Sequence, residues 1–143
     1  MPETGQRVEP YPAYIFYVEI GGIAQASFTE CTGLDIQIEV LEYAEGGLNT
    51  YVHRLPGRTK YADLTLKHGT AGPGELWVWY QQVCQGTIER KDLSVVLYDP
   101  SGGEVRRWNF TGAYPVRWTG PELSAGEYKV AIDTLVIAHQ GLV

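Results

Sequence analysis

Hydrophobic and polar residues alternate along much of this chain, the pattern typical of β-strands that bury one face. The clearest alternation covers residues 34–40, and similar alternation covers 14–20, 23–30 and 62–67. The pair Gly21-Gly22, between the segments 14–20 and 23–30, suits a two-residue hairpin turn, because glycine tolerates positive φ. We therefore predict four half-buried strands in the first half of the chain.

The hydrophobic period changes once, after a cluster of glycines and a proline at 69–74. Apolar residues then fall at i, i+3, i+4 and i+7, namely Leu76, Trp79, Tyr80 and Val83. This spacing predicts one amphipathic helix of about three turns, ended by Gly86 in a left-handed conformation.

Further strands are predicted over 93–98, 104–114 and 128–139, with Pro115 ending the second of them. The last is apolar on both faces near its end, so we expect both faces to be covered. The pattern thus indicates six or seven antiparallel strands and one helix in a single domain, 1–143. Residues 1–12 are polar and proline-containing, and we expect a flexible N-terminal arm there.

The connection between the strands at 34–40 and 62–67 is unusually long for a hairpin loop. It carries apolar side chains, which are atypical of a solvated linker. It also carries basic ones. We predict an assembly loop over 43–60 that contacts other subunits, through Tyr43, Glu45, Leu48, Tyr51, Val52, His53, Arg54, Leu55, Arg58 and Lys60.

Composition restricts the class of protein. The chain has 143 residues and a formal net charge of −6, without a basic run, which argues against a nucleic-acid-binding domain. It contains no apolar stretch long enough to cross a bilayer and no signal-peptide pattern, so we expect synthesis and folding in the cytoplasm. Its two cysteines, Cys31 and Cys84, lack metal-ligand spacing, and we expect free buried thiols.

No catalytic or metal-binding motif is present, and we expect neither an enzyme nor a cofactor. The three histidines are far apart, and Ser101 lacks the sequence context of a nucleophile elbow. Acidic residues near 35–45 are spaced like a solvated strand face, which we favour over a glycosidase-type carboxylate pair. A β-barrel that carries a small molecule in an aromatic-lined pocket is the alternative from another class.

Several motifs, in order along nearly the whole chain, resemble the tail tube proteins of contractile phage tails and of phage-tail-like contractile injection systems. The matching segments are Phe16-x-Val18-Glu19-Ile20-x-Gly22, Gly33-Leu34, Glu39-Val40-x-Glu42-Tyr43-x-Glu45-Gly46-Gly47, Leu55-Pro56-Gly57-x-Thr59-Lys60-Tyr61, Leu64-x-Leu66-Lys67-x-Gly69, Trp108-Asn109-Phe110-x-x-Ala113-x-Pro115-x-x-Trp118-x-Gly120-Pro121-x-Leu123, Ile132-x-Thr134-Leu135 and His139-x-Gly141-Leu142.

This resemblance implies a mainly β fold: two packed antiparallel sheets, barrel-like as in phage tail tubes and the type VI secretion tube, with one flanking helix and a long extended loop. It implies a homo-hexameric ring that stacks into a tube, with a contractile sheath protein, baseplate and cap proteins as partners. Cargo or DNA would pass through the lumen without sequence-specific binding. A specialised ring that initiates or terminates the tube, at the baseplate or cap, is the alternative within this class.

A channel that carries cargo needs a hydrophilic lining. The polar faces of two predicted strands fit this requirement, and an ordinary outer solvent face is the alternative for them. We predict that the lumen-facing residues are Gln25, Ser27, Thr29, Asp35, Gln37 and Glu39.

Overall fold

A computed structural model of the chain describes residues 15–21, 28–43, 52–69, 74–126 and 130–143. The predicted strand at 23–30 lies mostly outside these residues, as does the N-terminal arm. The described elements are β1 (Phe16–Ile20), β2 (Glu30–Thr32), β3 (Ile36–Tyr43), β4 (His53–Tyr61), β5 (Leu64–Gly69), α1 (Glu75–Cys84), β6 (Lys91–Tyr98), β7 (Glu104–Thr119), β8 (Ile132–Ala138) and β9 (Gly141–Leu142).

The long strand β7 joins two antiparallel halves of one sheet. Its first part pairs with β6, which pairs in turn with β1. Its last part pairs with β8, which is followed by β5 and then β2, while β9 pairs with the middle of β7. Glycine at position 112 has a φ of +60°, within the stretch where β7 passes from one half to the other. The predicted fold of two packed antiparallel sheets is confirmed, and the two are continuous through β7.

The core lies between these two halves. One half contributes Val18, Leu93 and Phe110, and the other contributes Leu66 and Leu135, all almost fully buried in one cluster. The apolar positions of these strands are therefore buried in the structure, because each strand presents one face to the opposite half of the sheet.

The predicted helix is confirmed as α1. Its end is a Schellman motif: Gly86 has a φ of +90° and donates its N–H to Val83 O at 3.0 Å, and Thr87 donates to Gln82 O at 2.8 Å. Leu76 and Trp79 face the core. The indole Nε1 of Trp79 donates to Glu89 O at 2.8 Å, which holds the segment after the helix against it.

Proline at position 115 does not end a strand, contrary to the sequence-based prediction. β7 runs from Glu104 to Thr119, and its register with β8 shifts between Pro115 and Arg117. The pairing with β6 ends at Ala113, so Pro115 lies beyond the edge that β6 covers. A proline is tolerated where a bulge or an unpaired edge removes the need for its N–H.

The prediction of two buried thiols is wrong for one of them. Both cysteines are free, but Cys84 is exposed at the end of α1 and Cys31 is half-buried on β2. Burial raises the pKa of the Cys31 thiol to about 11, because desolvation disfavours the thiolate.

Candidate assembly surfaces

The second part of the predicted loop over 43–60 is a strand, which corrects the prediction for that part. Residues His53–Tyr61 form β4, which pairs antiparallel with β3 in a separate two-stranded sheet. We call this β3–β4 hairpin, Ile36–Tyr61, the arm. A strand was not predicted at 53–61 because Pro56 and Gly57 disfavour one. The structure accommodates both residues at a register shift, since the pairing of Ile38 with Thr59 is followed by that of Val40 with Pro56.

Short contacts hold the arm where it leaves the sheet. Ala62 donates its N–H to Asp35 O at 3.2 Å, which closes the base of the hairpin. The Nε2 atom of His139 lies 3.0 Å from Ala62 O, and the His139 ring meets the Tyr61 ring edge-on at 5.6 Å between centroids. These contacts fix the direction of the arm relative to the end of β8.

The strand β3 is exposed on both faces, which corrects the prediction that its apolar face is buried. About half of the Ile36, Ile38 and Val40 side chains is accessible (48%, 54% and 51%). The alternation correctly predicts a strand here, but about half of its apolar face stays uncovered by the described part of the chain. Apolar side chains exposed together in this way mark interaction surfaces.

The two faces of the arm follow from its register. We call the side chains of β3 at even positions, with their cross-strand partners, the even face: Ile36, Ile38, Val40 and Glu42, with Tyr61, Thr59, Pro56 and Arg54. The odd face comprises Gln37, Glu39, Leu41 and Tyr43, with Lys60, Leu55 and His53.

Each face is apolar along only part of its length. On the odd face, Lys60 Nζ lies 2.7 Å from Glu39 Oε1, so the part near the sheet is charged and paired within the chain. Farther out on the same face, Leu41 and Leu55 lie opposite each other and are exposed by 53% and 50%. The even face shows the reverse order, with apolar residues near the sheet and the Glu42/Arg54 pair farther out. The apolar surface therefore changes sides between Val40 and Leu41.

Most of the predicted inter-subunit residues that the structure describes are accessible. Tyr43, Val52, Leu55, Arg54, Arg58 and Lys60 are exposed, and His53 is half-buried. Glu45, Leu48 and Tyr51 lie outside the described residues. Sequence reasoning missed Ile36, Ile38, Val40 and Leu41 as surface residues. The adjacent apolar pair Val40-Leu41, which breaks the alternation, was the available signal.

Of the predicted lumen-facing residues, Thr29, Asp35 and Gln37 are exposed and Glu39 is partly so. Gln37 and Glu39 share the odd face near the sheet, while Thr29 precedes β2 and donates its N–H to Lys67 O at 2.7 Å. Gln25 and Ser27 lie outside the described residues. Lys60, predicted as an inter-subunit residue, is paired with Glu39 on this polar surface.

The main sheet also offers two open edges. β1 and β2 stand at the ends of its strand order, and each has one edge that no strand of the described ranges pairs. Unpaired edges of this kind are available to strands of another chain.

Groups that could support chemistry are sparse. Within the described ranges, no three His, Cys, Asp or Glu side chains come together as metal ligands would. A charged cluster centres on Arg107, which donates to Glu19 Oε2 at 2.8 Å and to Glu104 Oε1 at 2.7 Å from separate guanidinium nitrogens. These carboxylates raise the pKa of Arg107, and the cluster links β1 to β7 on the surface. No helix in the part described has the length and apolarity needed to cross a membrane.

An open two-layer sheet, edges that no described strand pairs and an apolar arm are features typical of a protein that assembles with other chains. Residues 12–143 match the family model described as T4-like virus tail tube protein gp19. The chain therefore belongs to this tail tube family, and the resemblance inferred from its motifs is confirmed.

Solved structures agree with this assignment. A chain of the anti-feeding prophage baseplate superposes with a TM-score of 0.88 at 24% identity, over 96% of both chains. A chain of the sheath–tube complex of PVC, an extracellular contractile injection system, in its extended state gives 0.84 at 27% identity, over 94% of this chain and 90% of that one. A chain of the anti-feeding prophage tube-terminating cap gives 0.86 at 26% identity, over 100% of this chain and 97% of that one. A search of curated proteins gave no match.

The chain is thus a tail tube protein of the kind found in contractile injection systems, a structural component of phage-tail-like particles. The predictions of fold class and of this function are confirmed.

Proposed function

We propose that six copies of this chain form a ring, and that rings stack into the inner tube of a contractile particle. The sheet edges that no described strand pairs support this proposal. In a ring, the edge of β1 or β2 can pair with a neighbour, which removes exposed backbone donors and acceptors as closure does in a barrel. A ring closes a heterologous contact, and a second, non-closing contact between rings produces a tube.

The arm is the observation that carries the proposal. An isolated two-stranded hairpin is marginally stable in water, and this one exposes apolar side chains on both faces. Burying one such side chain completely contributes about 1.5–3 kcal/mol, so a half-exposed residue retains roughly half of that to be gained by contact. Several residues per arm, repeated around a ring, can hold a stack together.

The polar surface near the base of the arm supports the lumen assignment. Asp35, Gln37 and Glu39 are hydrophilic and accessible, as a channel lining requires. In this arrangement cargo or DNA moves through the lumen along a wet, non-specific wall. The outer surface meets a contractile sheath protein, and the ends of the tube meet baseplate and cap proteins. The subunit acts by assembly, without catalysis, after synthesis in the bacterial cytoplasm.

Shortening the arm tests the proposal. Deleting residues 46–52 leaves two residues, Ala44 and Glu45, between the paired Tyr43 and His53, which is the length of the commonest hairpin turn. We expect folded monomers or rings and no tubes in negative-stain electron micrographs. A second variant replaces the same seven residues by Gly and Ser and so keeps the length of the connection. Comparison of the two variants separates the effect of the connection's length on tube formation from the effect of its side chains. Long tubes from both variants would contradict a stacking role for this segment.

A second function within the same class is a specialised terminating ring. The similarity to a chain of the anti-feeding prophage cap favours it. The two are distinguished by the product of the purified wild-type protein, because a main tube subunit gives tubes of indefinite length and a terminating ring gives single or paired rings.

A further inference from the structure

The long strand β7 changes direction at Gly112. Between the last two pairs of β6 with β7, one residue of β6, Asp92, lies opposite two of β7, Thr111 and Gly112. This two-against-one count is a β-bulge, and the φ of +60° gives Gly112 the left-handed conformation typical of one class of bulge. Because a bulge bends the strand that contains it, the two parts of β7 differ in direction.

Side chains next to both flanking strands hold Gly112 in this conformation. Between β8 and β9, the side chain of Gln140 lies across it, with its Oε1, Cδ and Cγ atoms 2.6, 2.9 and 3.0 Å from the position that a Cβ would take. The backbone N–H of Gln140 also donates to Thr111 O at 2.8 Å. Just before β6, Arg90 Nη1 donates to Gly112 O at 3.3 Å, and its guanidinium lies 4.8 Å from the centre of the Tyr114 ring. We call Gly112, Arg90 and Gln140 the joint.

The joint precedes an edge of β7 that is open in the described part of the chain. β8 and β9 pair along one edge of β7, and β6 pairs along the other only as far as Ala113. Residues 114–119 therefore have one edge that no described strand pairs. A ring contact is heterologous, so each subunit must offer two different surfaces, and this edge can be one of them. Its direction relative to the rest of the subunit depends on the bend at Gly112.

We infer that the joint sets the angle at which one subunit meets the next, and so the number of subunits in a ring. This inference rests on the proposed ring. Each subunit turns the ring by about 60° when six close it and by about 51° when seven do, so about 9° per contact separates the two sizes. The freedom of an unclamped glycine is much larger than this, because glycine populates both signs of φ about equally. Arg90 and Gln140 are therefore positioning residues for the assembly edge.

Removing the two side chains that contact Gly112 tests this role in the full chain. The joint double variant is Arg90→Ala with Gln140→Ala. Arg106→Ala with Gln81→Ala is its matched control, since Arg106 also lies over an aromatic ring, at 5.0 Å, and Gln81 is also exposed. Both double variants change the net charge by the same amount, so a difference between them reports on the joint.

A second pair of variants acts on the glycine itself. Gly112→Ala places a Cβ against the side chain of Gln140 and disfavours the left-handed conformation. Gly102→Ala is its control, because Gly102 also has a positive φ, of +93°, and no atom lies within 4 Å of its Cβ position. Circular dichroism and the Tm of the unassembled subunits verify folding. If Gly112→Ala does not fold, the joint double variant decides, since both side chains that it replaces are exposed.

Class averages of rings in negative-stain electron micrographs, together with native mass spectrometry, measure the number of subunits per ring. We expect wild type and both controls to form rings of one size. The folded joint variants should give rings of several sizes, open arcs or no closed ring, so that the share of closed rings of wild-type size falls to about half or less. Closed rings of wild-type size alone from these variants, or the same change in the matched controls, would overturn this inference and leave the proposed function standing. A wild-type protein that forms neither rings nor tubes would overturn both.

Discussion

Gly33 lies at the point where the chain turns from β2 toward the arm, and its conformation admits no side chain. Its φ is +98°, and a Cβ at this position would lie 2.1 Å from Asp63 O. Asp63 follows β4, so Gly33 allows the two ends of the arm to approach each other. The backbone contact and the left-handed conformation are two separate costs for any other residue.

Substituting Gly33→Ala should therefore lower the free energy of unfolding by more than about 3 kcal/mol, from strain and displaced backbone together. Gly102→Ala is the matched control, since Gly102 has a φ of +93° and no atom within 4 Å of the Cβ position. We expect about 1–2 kcal/mol for the control, from backbone strain alone. Urea unfolding of the unassembled subunits measures both values, and equal losses would show that the approach to Asp63 is unimportant.

The two cysteines should react at very different rates. With its pKa raised to about 11, the Cys31 thiol is ionised in about one molecule in a thousand at pH 8, and the thiolate is the reactive form. Cys84 is exposed and should take up iodoacetamide first. Labelling of Cys31 should rise steeply as pH increases toward 11, because its folded-state pKa lies above the ordinary value.

Mass spectrometry of tryptic peptides assigns the label to each site. In the Cys84→Ser variant, slow labelling alone should remain at pH 8. Fast labelling of Cys31 in that variant would show that its surroundings are less desolvated than the structure indicates.

At the scale of elements, Trp79 and Leu76 attach α1 to the sheet, and Trp79 is the larger of the two. The ring is 2% exposed, and its Nε1 donates to Glu89 O in the segment that leads to β6. The neighbouring Trp77 lies on the surface of the same helix, half-buried, and meets the Trp118 ring edge-on at 5.1 Å. Trp79 is thus a buried residue with a hydrogen bond, and Trp77 contributes an aromatic contact at the surface of the helix.

Trp79→Phe should lower the free energy of unfolding by about 2–4 kcal/mol, since it leaves a cavity and an unpaired carbonyl. Trp77→Phe removes the same atoms at a half-buried site and should cost about 1 kcal/mol or less. Chemical denaturation followed by the remaining tryptophan fluorescence compares the two. A larger loss for Trp77 would reverse this assignment of the anchor.

At the scale of the whole molecule, net charge should influence how subunits associate. Each chain carries −6, so the proposed ring of six chains would carry −36. Like charges at this density oppose association, and salt screens them, with a Debye length of about 8 Å at physiological ionic strength.

We therefore expect that raising the salt concentration from low to physiological values will leave tubes intact or increase their yield. Sedimentation of assembled protein at a series of salt concentrations measures this. The Lys60→Gln variant removes the Glu39–Lys60 ion pair on the arm and makes each chain more negative by one charge. Its response to salt should have the same direction as that of wild type, because an exposed pair of this type contributes little. Dissolution of wild-type tubes by added salt would show that attraction between opposite charges dominates the contacts.

Local patterns in the sequence determined the elements and the family. Alternation identified β1 and β5, because each of them buries one face against the other half of the sheet. The i, i+3, i+4, i+7 spacing and Gly86 identified α1, since both depend on residues within a few positions of each other. The ordered motifs identified the tail tube family for the same reason, as they are properties of the chain read in order.

Only the tertiary structure decided which apolar faces are buried. The alternation at 34–40 is as regular as that of the core strands, yet its apolar side chains remain exposed because no described strand or helix packs over the arm. The structure also showed that 53–61 pairs with β3 despite Pro56 and Gly57, since a register shift absorbs them. A hydrophobic pattern predicts that one face of a strand or helix is stable only when another surface covers it. Whether that surface belongs to the same chain depends on how distant segments pack.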